Sequence, residues 1–368
     1  HAEETFWNQF AGADSLGALI QPSAELTARL SQHVATLEDR GDLLTSDVVE
    51  WAERCLRQAR CLSDSYAIVV TNPPYMGSGN MDGFVTSWVK ESFPNEKQDL
   101  YGCFVTRCSR LATDRGLVAM VIGDTWMTIK SFEKFRRDIL SNCTFETFIH
   151  MRDVSNHPVI FGANAAFVFA KAPTHHQKGT FVYLDSNSEE GKRQNLLQAV
   201  RDPEVAWSYR IEPEQFDAIP GAPIAFRLSA PMREAFSKGQ PLGSRYDAMN
   251  GMTTGENARF LRLWHEVAAS RTCWSARNAQ ESVQSGAKWF PYNKGGLFRK
   301  WFGNAEYVIN WEHDGRDVIE NGRAFTRGRK FYFRPMVSWA KVSSGQPAFR
   351  YYPAGFLFDV AGTAMFGG

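Results

Sequence analysis

One short segment of the chain combines an amide, two prolines and an aromatic ring. Asn72-Pro73-Pro74-Tyr75 follows the apolar residues 67–70, with only Thr71 between them. That run predicts a buried parallel strand, and the prolines predict a stiff loop at its end. Ligands of open α/β sheets bind at the carboxyl ends of the strands. The segment is therefore a candidate active-site loop, although four such residues could also form a simple turn.

The chemistry that suits this loop is group transfer to an aromatic amine. Such an amine is a poor nucleophile because its lone pair is delocalised into the ring. The side-chain oxygen of Asn72 and the carbonyl of Pro73, held rigidly by proline, could accept its two N–H bonds and restore the lone pair. Tyr75 offers a ring on which an extruded base can stack. The loop has no His, Asp or Glu. None is needed before attack if the amine is held in line with a methyl donor.

Strands alternate with helices around this loop, which predicts an α/β domain with a largely parallel sheet. The spacing of apolar residues predicts helices over 24–62, 81–93, 100–111 and 132–140. Short apolar runs predict strands over 117–122, 145–151, 165–171 and 180–185. We therefore expect a catalytic domain over 1–178. A connecting region is expected over 179–245, with a short helix near 230–237. An irregular, aromatic-rich α+β domain is expected over 246–368.

The composition is that of a globular chain long enough for two domains. It has 368 residues, is 43% hydrophobic and carries a net charge of only +1. No apolar run reaches 18 residues, so no transmembrane helix is expected. Six cysteines without C-x-x-C pairs predict reduced thiols and a cytoplasmic protein. His175-His176 has no second ligand pair nearby and predicts loop surface, not a metal site.

The motif and several longer segments resemble a known family. Asn-Pro-Pro-Tyr at a strand end is similar to the motif of amino-methyltransferases, chiefly those acting on N6 of adenine. More narrowly, nearly the whole chain resembles the PglX adenine methyltransferases of phage-exclusion (BREX) systems. The matching segments are residues 14–20, 97–104, 116–122, 131–136, 251–260, 289–296 and 358–362. The resemblance implies a Rossmann-like, S-adenosylmethionine-dependent methyltransferase fold. It also implies that residues 246–368 are the first part of a DNA target-recognition domain.

The resemblance also implies roles for single residues. The Asn72–Tyr75 loop would hold the target adenine. Asp14 would bind the adenine of S-adenosylmethionine, and Phe104 would stack on that ring. Phe161 is a candidate for the second face of the flipped base. From the residues alone, Asp14 is better explained as a helix cap and Phe104 as a core residue.

A basic region lies late in the chain. Residues 288–350 hold twelve Lys and Arg against five Asp and Glu, with aromatic residues interleaved. Clustered cations bind phosphates, so the region is a candidate for contact with double-stranded DNA, although a solvated basic loop would look the same. The candidate DNA-binding residues are Lys294, Arg299, Lys300, Arg323, Arg327, Arg329 and Lys330. The resemblance further implies other exclusion-system proteins and a phage-encoded DNA mimic as partners.

Two other functions fit the same loop. Protein-glutamine and guanine-N2 methyltransferases also present an amide or amine to Asn-Pro-Pro-Tyr, but the protein-modifying ones are compact and lack a large basic second domain. Alternatively, the polypeptide is a specificity or scaffold module of a defence complex. An intact Asn72–Tyr75 motif argues against a degenerate site.

The glycine-rich loop and ribose-binding acidic residue typical of cofactor sites are missing before Asp14. Gly77-x-Gly79 follows the candidate catalytic loop, not a first strand, and does not replace them. The sequence therefore predicts an internal piece of a longer methyltransferase.

We expect this chain alone to bind S-adenosylmethionine weakly or not at all, because residues that usually grip the cofactor are absent. Isothermal titration calorimetry on the isolated chain measures this directly. A dissociation constant in the micromolar range would contradict the expectation.

Overall fold

A computed structural model describes residues 2–37, 43–151, 163–173, 177–342 and 346–367. The chain divides into two compact units, His1–Gly239 and Gln240–Gly368. Among the described residues, no helix is long and apolar enough to cross a membrane. All six cysteines are free thiols.

Unit 1 contains ten helices within its described residues and six strands in one sheet. The helices are α1 (Ala2–Asn8), α2 (Ala13–Leu16), α3 (Ala24–Ala35), α4 (Leu43–Ser63), α5 (Gly83–Ser92), α6 (Leu100–Leu111), α7 (Glu133–Asn142), α8 (Glu189–Arg201), α9 (Glu214–Asp217) and α10 (Ala230–Lys238). The strands are β1 (Tyr66–Thr71), β2 (Ala112–Gly123), β3 (Thr144–Met151), β4 (Asn164–Ala170), β5 (Gly179–Leu184) and β6 (Ser208–Ile211). The other predicted helices and strands of unit 1 are observed to within five residues at each end, whereas the helical segment predicted over 24–62 divides into α3 and α4. The predicted α/β class is confirmed.

The sheet of unit 1 has the order β1-β2-β4-β3-β5-β6. β1 pairs with β2, and β3 with β5, in parallel; the other three pairings are antiparallel. The expectation of a largely parallel sheet was therefore wrong. β4 inserts between β2 and β3 and runs against both, which the apolar runs alone could not reveal. Because β5 and β6 extend this sheet, residues 179–239 form part of unit 1, and the structural division differs from the predicted boundaries at 178 and 245.

The strand before the Asn72 loop lies at the edge of the sheet. It is parallel to β2 as predicted, but it is not buried: Ile68 is 64% and Val70 is 72% exposed. Their side chains share one face of the sheet, because they are two residues apart. Within the described residues nothing covers that face over β1. The prediction of a buried strand was therefore wrong.

The other face carries the main core of unit 1. Val118, Met120 and Ile122 of β2 alternate inward and pack with aromatic residues of β3 and β4. Phe145, Phe148, Phe167 and Phe169 form most of that aromatic cluster. A second cluster joins α1 to α6 and includes Phe6, Leu16, Leu56 and Val89. The two clusters fix α6 between the helical layer and the sheet.

Unit 2 has eight strands among its described residues: β7 (Tyr246–Met249), β8 (Leu261–Leu263), β9 (Trp289–Asn293), β10 (Tyr307–Asn310), β11 (Met336–Trp339), β12 (Phe349–Tyr352), β13 (Leu357–Phe358) and β14 (Ala364–Gly367). They form two four-stranded sheets, with the orders β13-β9-β10-β8 and β12-β11-β14-β7. The helices are α11 (Asn257–Phe260), α12 (Ala279–Gln284) and α13 (Glu312–Glu320), the last with left-handed backbone at residues 313–315. The irregular α+β architecture predicted here is observed.

A buried arginine ties α7 to the loop around residue 221. Arg136 is 1% exposed, and its guanidinium donates to the carbonyls of Trp126, Ile129, Gly221 and Ala222 at 2.6–3.1 Å. Burial lowers the pKa of this guanidinium. The neighbouring Arg137 instead pairs with Glu133 and Asp217 at the surface.

We expect Arg136→Met to lower the free energy of unfolding by about 3 kcal/mol or more, because several buried carbonyls would lose their donor. The matched variant Arg137→Met should change it by less than about 1 kcal/mol, as for exposed ion pairs. Urea unfolding of both variants checks this. Equal losses would show that Arg136 contributes no more than a surface ion pair.

Candidate active site and basic surface

The Asn72–Tyr75 loop begins one residue after β1 ends, at the carboxyl end of the strand. Pro73 is buried, whereas Asn72, Pro74 and Tyr75 are exposed. Asn72 lines a mainly apolar cavity of about 370 Å³ above the open face of the sheet, together with Val70 and Thr71. The amide is therefore accessible to a ligand, while the preceding strand holds its backbone.

The Tyr75 ring is fixed at its far end. Its hydroxyl donates to the carbonyl of Val121 at 3.1 Å, and its ring meets Tyr101 edge-on at 6.2 Å between centroids. Burial raises the pKa of the Tyr75 hydroxyl, so it remains a protonated donor at neutral pH. The ring is 46% exposed. This leaves an aromatic face free for stacking on a planar ligand.

Asp99 links this loop to α6. Its Oδ1 accepts hydrogen bonds from the backbone N–H of Met76 at 3.0 Å and of Tyr101 at 3.3 Å. A backbone bond from Leu100 N to Met76 O adds to the same junction. Burial raises the pKa of the Asp99 carboxyl, against the opposing effect of these hydrogen bonds. Asp99 is thus both the N-cap of α6 and a clamp on the loop.

Tyr101 continues the wall behind Tyr75. It is 3% exposed, stacks on Phe132 at 5.8 Å, and its hydroxyl lies 2.6 Å from Thr125 Oγ1. Burial raises the pKa of its hydroxyl. Sequence reasoning gave no role to Asp99 or Tyr101. The available signal was an Asp placed directly before an apolar helical run, which is typical of an N-cap.

A second polar pair lies at the same edge of the sheet. Asp124 directly follows β2, and His150 is next to the last residue of β3. His150 Nε2 and Asp124 Oδ2 are 3.1 Å apart, and both side chains are largely buried. This pair also escaped sequence reasoning, since its members are 26 residues apart. Among the described residues, no cluster of His, Cys, Asp or Glu could hold a metal ion.

The predicted cofactor residues lie in the helical layer. Asp14 is an exposed first-turn residue of α2 and lines an open cavity of about 510 Å³ with Ile20 and Arg57. Phe104 is half-buried on α6 and packs on the same apolar cluster as Leu16. Phe104 is not among the residues that line this cavity. The structure therefore places Asp14 at a cavity and Phe104 at the adjoining core.

Arg107 secures the segment that carries Asp14. Its guanidinium, 4% exposed, donates to the carbonyls of Ala18 and Ile20, both at 2.9 Å, and of Leu62 at 2.6 Å. Burial lowers its pKa. Phe161 and His175-His176 lie outside the described residues.

The predicted DNA-binding cations differ in their surroundings. Four have acidic partners, in the pairs Lys294–Asp359, Arg299–Glu306, Arg323–Glu256 and Arg329–Asp314. Lys300, Arg327 and Lys330 are exposed, and within the described part of the chain they form no ion pair. Lys294 is half-buried, and the other six are exposed.

Lys294 belongs to a buried polar network. Its Nζ donates to Asp359 Oδ2 at 2.7 Å, and Tyr292 OH donates to the same oxygen at 2.8 Å. Asp359 is 3% exposed, and beside it Val360 N donates to Met252 O while Met252 N donates to Phe358 O, both at 2.9 Å. Burial, then the neighbouring Asp359 carboxylate, raises the pKa of Tyr292. Three of the segments that carried the family resemblance, 251–260, 289–296 and 358–362, meet in this network.

Comparison with known proteins matches the same regions. The family model described as Eco57I restriction-modification methylase matches residues 25–156. The adenine-specific methyltransferase PglX of Lacticaseibacillus casei (strain Zhang) is 35% identical over 97% of this chain and 31% of its own length. The adenine-specific methyltransferase BrxX of Escherichia coli O9:H4 (strain HS) is 34% identical over 97% of this chain and 29% of its own length.

The predicted resemblance to PglX-type methyltransferases is confirmed. The chain spans less than a third of the length of these two relatives. Among solved structures, the type IIL restriction-modification enzyme MmeI in complex with DNA overlaps 82% of this chain and 41% of its own. Its TM-score is 0.49 and its identity 11%. The type ISP enzyme LlaGI, bound to a DNA substrate mimic, overlaps 86% of this chain and 36% of its own, with a TM-score of 0.48 and 10% identity.

We expect Asp99→Ala to lower the free energy of unfolding by about 1–2 kcal/mol, because α6 loses its N-cap and Met76 N loses its acceptor. Asp99→Asn keeps a side-chain oxygen at the same position and should stay within about 0.5 kcal/mol of the unmodified chain. Urea unfolding measures both. Equal destabilisation by Asn and Ala would contradict the role of the shared oxygen.

Proposed function

We propose that this chain is the part of a site-specific DNA methyltransferase that methylates N6 of adenine with S-adenosylmethionine. The observation that carries the proposal is an accessible Asn72–Tyr75 loop in a chain 35% identical, over 97% of its length, to a protein named adenine-specific methyltransferase. A role in phage defence, partnership with other exclusion-system proteins and binding of a phage DNA mimic belong to the same proposal.

The target adenine is flipped out of the duplex and bound by the loop. The Asn72 side-chain oxygen and the Pro73 carbonyl accept the two N–H bonds of the amine and draw its nitrogen toward tetrahedral geometry. Tyr75 stacks on the base and offsets part of the cost of unstacking. Its hydrogen bond to Val121 O holds the ring in place, so the base meets a preorganised surface.

S-adenosylmethionine supplies an electrophilic methyl group on its sulfonium. The carboxylate of Asp14, exposed at a mainly apolar cavity, is a suitable acceptor for the amine of the cofactor's adenine. Phe104 would contact that ring from α6. Arg107 holds the Asp14 segment against the same helix through Ala18 and Ile20. Transfer of that methyl group would form the N–C bond as the C–S bond breaks, leaving S-adenosylhomocysteine. The proton released by the methylated amine would pass to solvent, because the loop carries no base.

We propose that unit 2 binds the DNA duplex. Its exposed cations, including Lys300, Arg327 and Lys330, would contact phosphates. Lys294 would have a structural role instead, because its ammonium pairs with the buried carboxylate of Asp359. This ion pair would stabilise the segment that precedes the exposed basic residues.

The decisive test is modification-sensitive sequencing of genomic DNA from cells that express the gene. We expect the unmodified protein to methylate adenine in one short motif. Asn72→Ala should reduce this methylation by about 100-fold or more, as for loss of one transition-state hydrogen bond. Asn80→Ala is a matched control, because Asn80 is an exposed asparagine eight positions further on.

Lost methylation with retained DNA binding in Asn72→Ala supports the enzyme. Methylation unaffected by Asn72→Ala would contradict it and support the scaffold function. If DNA from the strain with the unsubstituted protein contains no methylated adenine, a protein or RNA substrate becomes the leading alternative.

A further inference from the structure

The most unusual surface of unit 2 is a loop of residues 297–302, called here the aromatic–basic loop. Leu297 is 82%, Phe298 57%, Trp301 72% and Phe302 69% exposed. Arg299 and Lys300 separate the two apolar pairs. Large apolar side chains gathered in this way on a surface mark a site of interaction.

The backbone of this loop is fixed, although its side chains are not buried. Trp301 N donates to Phe349 O at 2.9 Å, and Tyr351 N donates to Trp301 O at 2.8 Å. Asn304, 5% exposed, donates through Nδ2 to Leu297 O at 2.8 Å. The exposed rings are thus presented on a rigid support and lose little backbone entropy on binding.

The backbone conformation of Trp301 is itself unfavourable. Its φ is 71°, in the left-handed region, and it lies between Gly296 at 115° and Gly303 at 119°. A left-handed bulky residue costs roughly 1–3 kcal/mol and persists only where surrounding contacts enforce it. The two backbone bonds of Trp301 to β12 supply that enforcement. The strained conformation turns a large ring toward solvent, where it contributes nothing to the core.

The charge of the loop and of its support favours an anionic partner. Arg299 shares a surface ion pair with Glu306 at 3.6 Å, and Lys300 lies 5.7 Å from the Phe298 ring. Beneath the loop, Arg350 is 1% exposed and donates to Arg299 O at 3.4 Å. Within the described residues, its Nε and Nη2 have no hydrogen-bond partner. Because Arg350 forms no ion pair with another described residue, its guanidinium adds positive potential beneath the loop.

We propose that the aromatic–basic loop enters a groove of duplex DNA. Trp301 and Phe302 act as an apolar wedge against a base step, and Arg299 and Lys300 bind the flanking phosphates. Apolar wedges beside cations are used by proteins that unstack and bend DNA. The inference rests on the proposed function, since an enzyme that flips a base benefits from a second contact that stabilises the distorted duplex.

The test is equilibrium binding of a fluorescent duplex carrying the methylation motif, measured by anisotropy over a range of KCl concentrations, with the protein as expressed from its gene. Trp301→Ala and Phe302→Ala should each raise Kd about tenfold, with the salt dependence unchanged. Lys300→Gln should raise Kd and reduce the slope of log K against log salt by about 0.9. Tyr246→Ala is the matched control, because Tyr246 is a 40% exposed aromatic residue on β7, at the opposite edge of its sheet from β12, and should leave Kd unchanged.

The outcomes distinguish failure of this inference from failure of the proposed function. If the unmodified protein binds and methylates DNA while the Trp301, Phe302 and Lys300 variants keep its Kd within twofold, the inference is overturned and the proposed function stands. The loop would then be assigned to a protein contact. If the unsubstituted protein binds no DNA, both the inference about the loop and the proposed function are overturned. Should Trp301→Ala unfold, Phe302→Ala and Lys300→Gln still decide, because each changes only an exposed side chain.

Discussion

The shared carboxylate of Asp99 is the constraint on which the candidate active site depends. One oxygen accepts from the N–H of Met76, just past the Asn72–Tyr75 loop, and from the N–H of Tyr101 at the start of α6. The loop therefore cannot shift without uncapping the helix. Burial of the carboxyl raises its pKa, so the arrangement carries a desolvation cost that the backbone donors offset.

α6 extends this constraint across unit 1. About two turns beyond the cap, Arg107 binds the carbonyls of Ala18 and Ile20 and so holds the segment that carries Asp14. The same helix also bears Phe104. Loop, helix and Asp14 segment thus share a single frame, although they are separated along the chain. Under the function proposed above, the loop binds the target base and the Asp14 segment binds the cofactor. Such a frame then limits displacements that are costly in group transfer.

Unit 2 uses its charged residues in two ways. Asp359, Tyr292 and Lys294 form a buried network in which each polar group has a partner, and this network joins three distant segments. Arg299, Lys300, Arg327 and Lys330 instead lie at the surface. A cluster of Lys and Arg in sequence therefore mixes residues that build the fold with residues available to a ligand. Composition alone could not separate them, because only the position of Asp359 assigns Lys294 to the interior.

Local patterns predicted much of unit 1. The apolar spacing located α4, α6 and α7, and the apolar run of 67–70 located β1. Pairing was not predictable from these patterns, because strand direction depends on how β4 inserts between β2 and β3. The apolar run of 67–70 also led to the expectation that β1 is buried, because apolar content does not show whether a strand lies at the edge of a sheet. At the candidate site, the motif predicted roles for Asn72 and Tyr75, whereas Asp99, Tyr101 and the Asp124–His150 pair became visible only in the folded structure, because their contacts join distant parts of the chain.

The position of β1 has a consequence for dynamics. Among the described residues it is held by one ladder of hydrogen bonds, to β2, and one of its faces is open. Segments with few buried contacts open first in native-state fluctuations, well below the energy of global unfolding. Within the described residues, the strand that presents Asn72 is therefore less protected than β2, β4 and β3, each of which has a neighbouring strand on both sides. A segment that packed on the open face of β1 would slow amide exchange in this strand and reduce the motion of the Asn72–Tyr75 loop. Covering the face and ordering the loop are therefore thermodynamically linked.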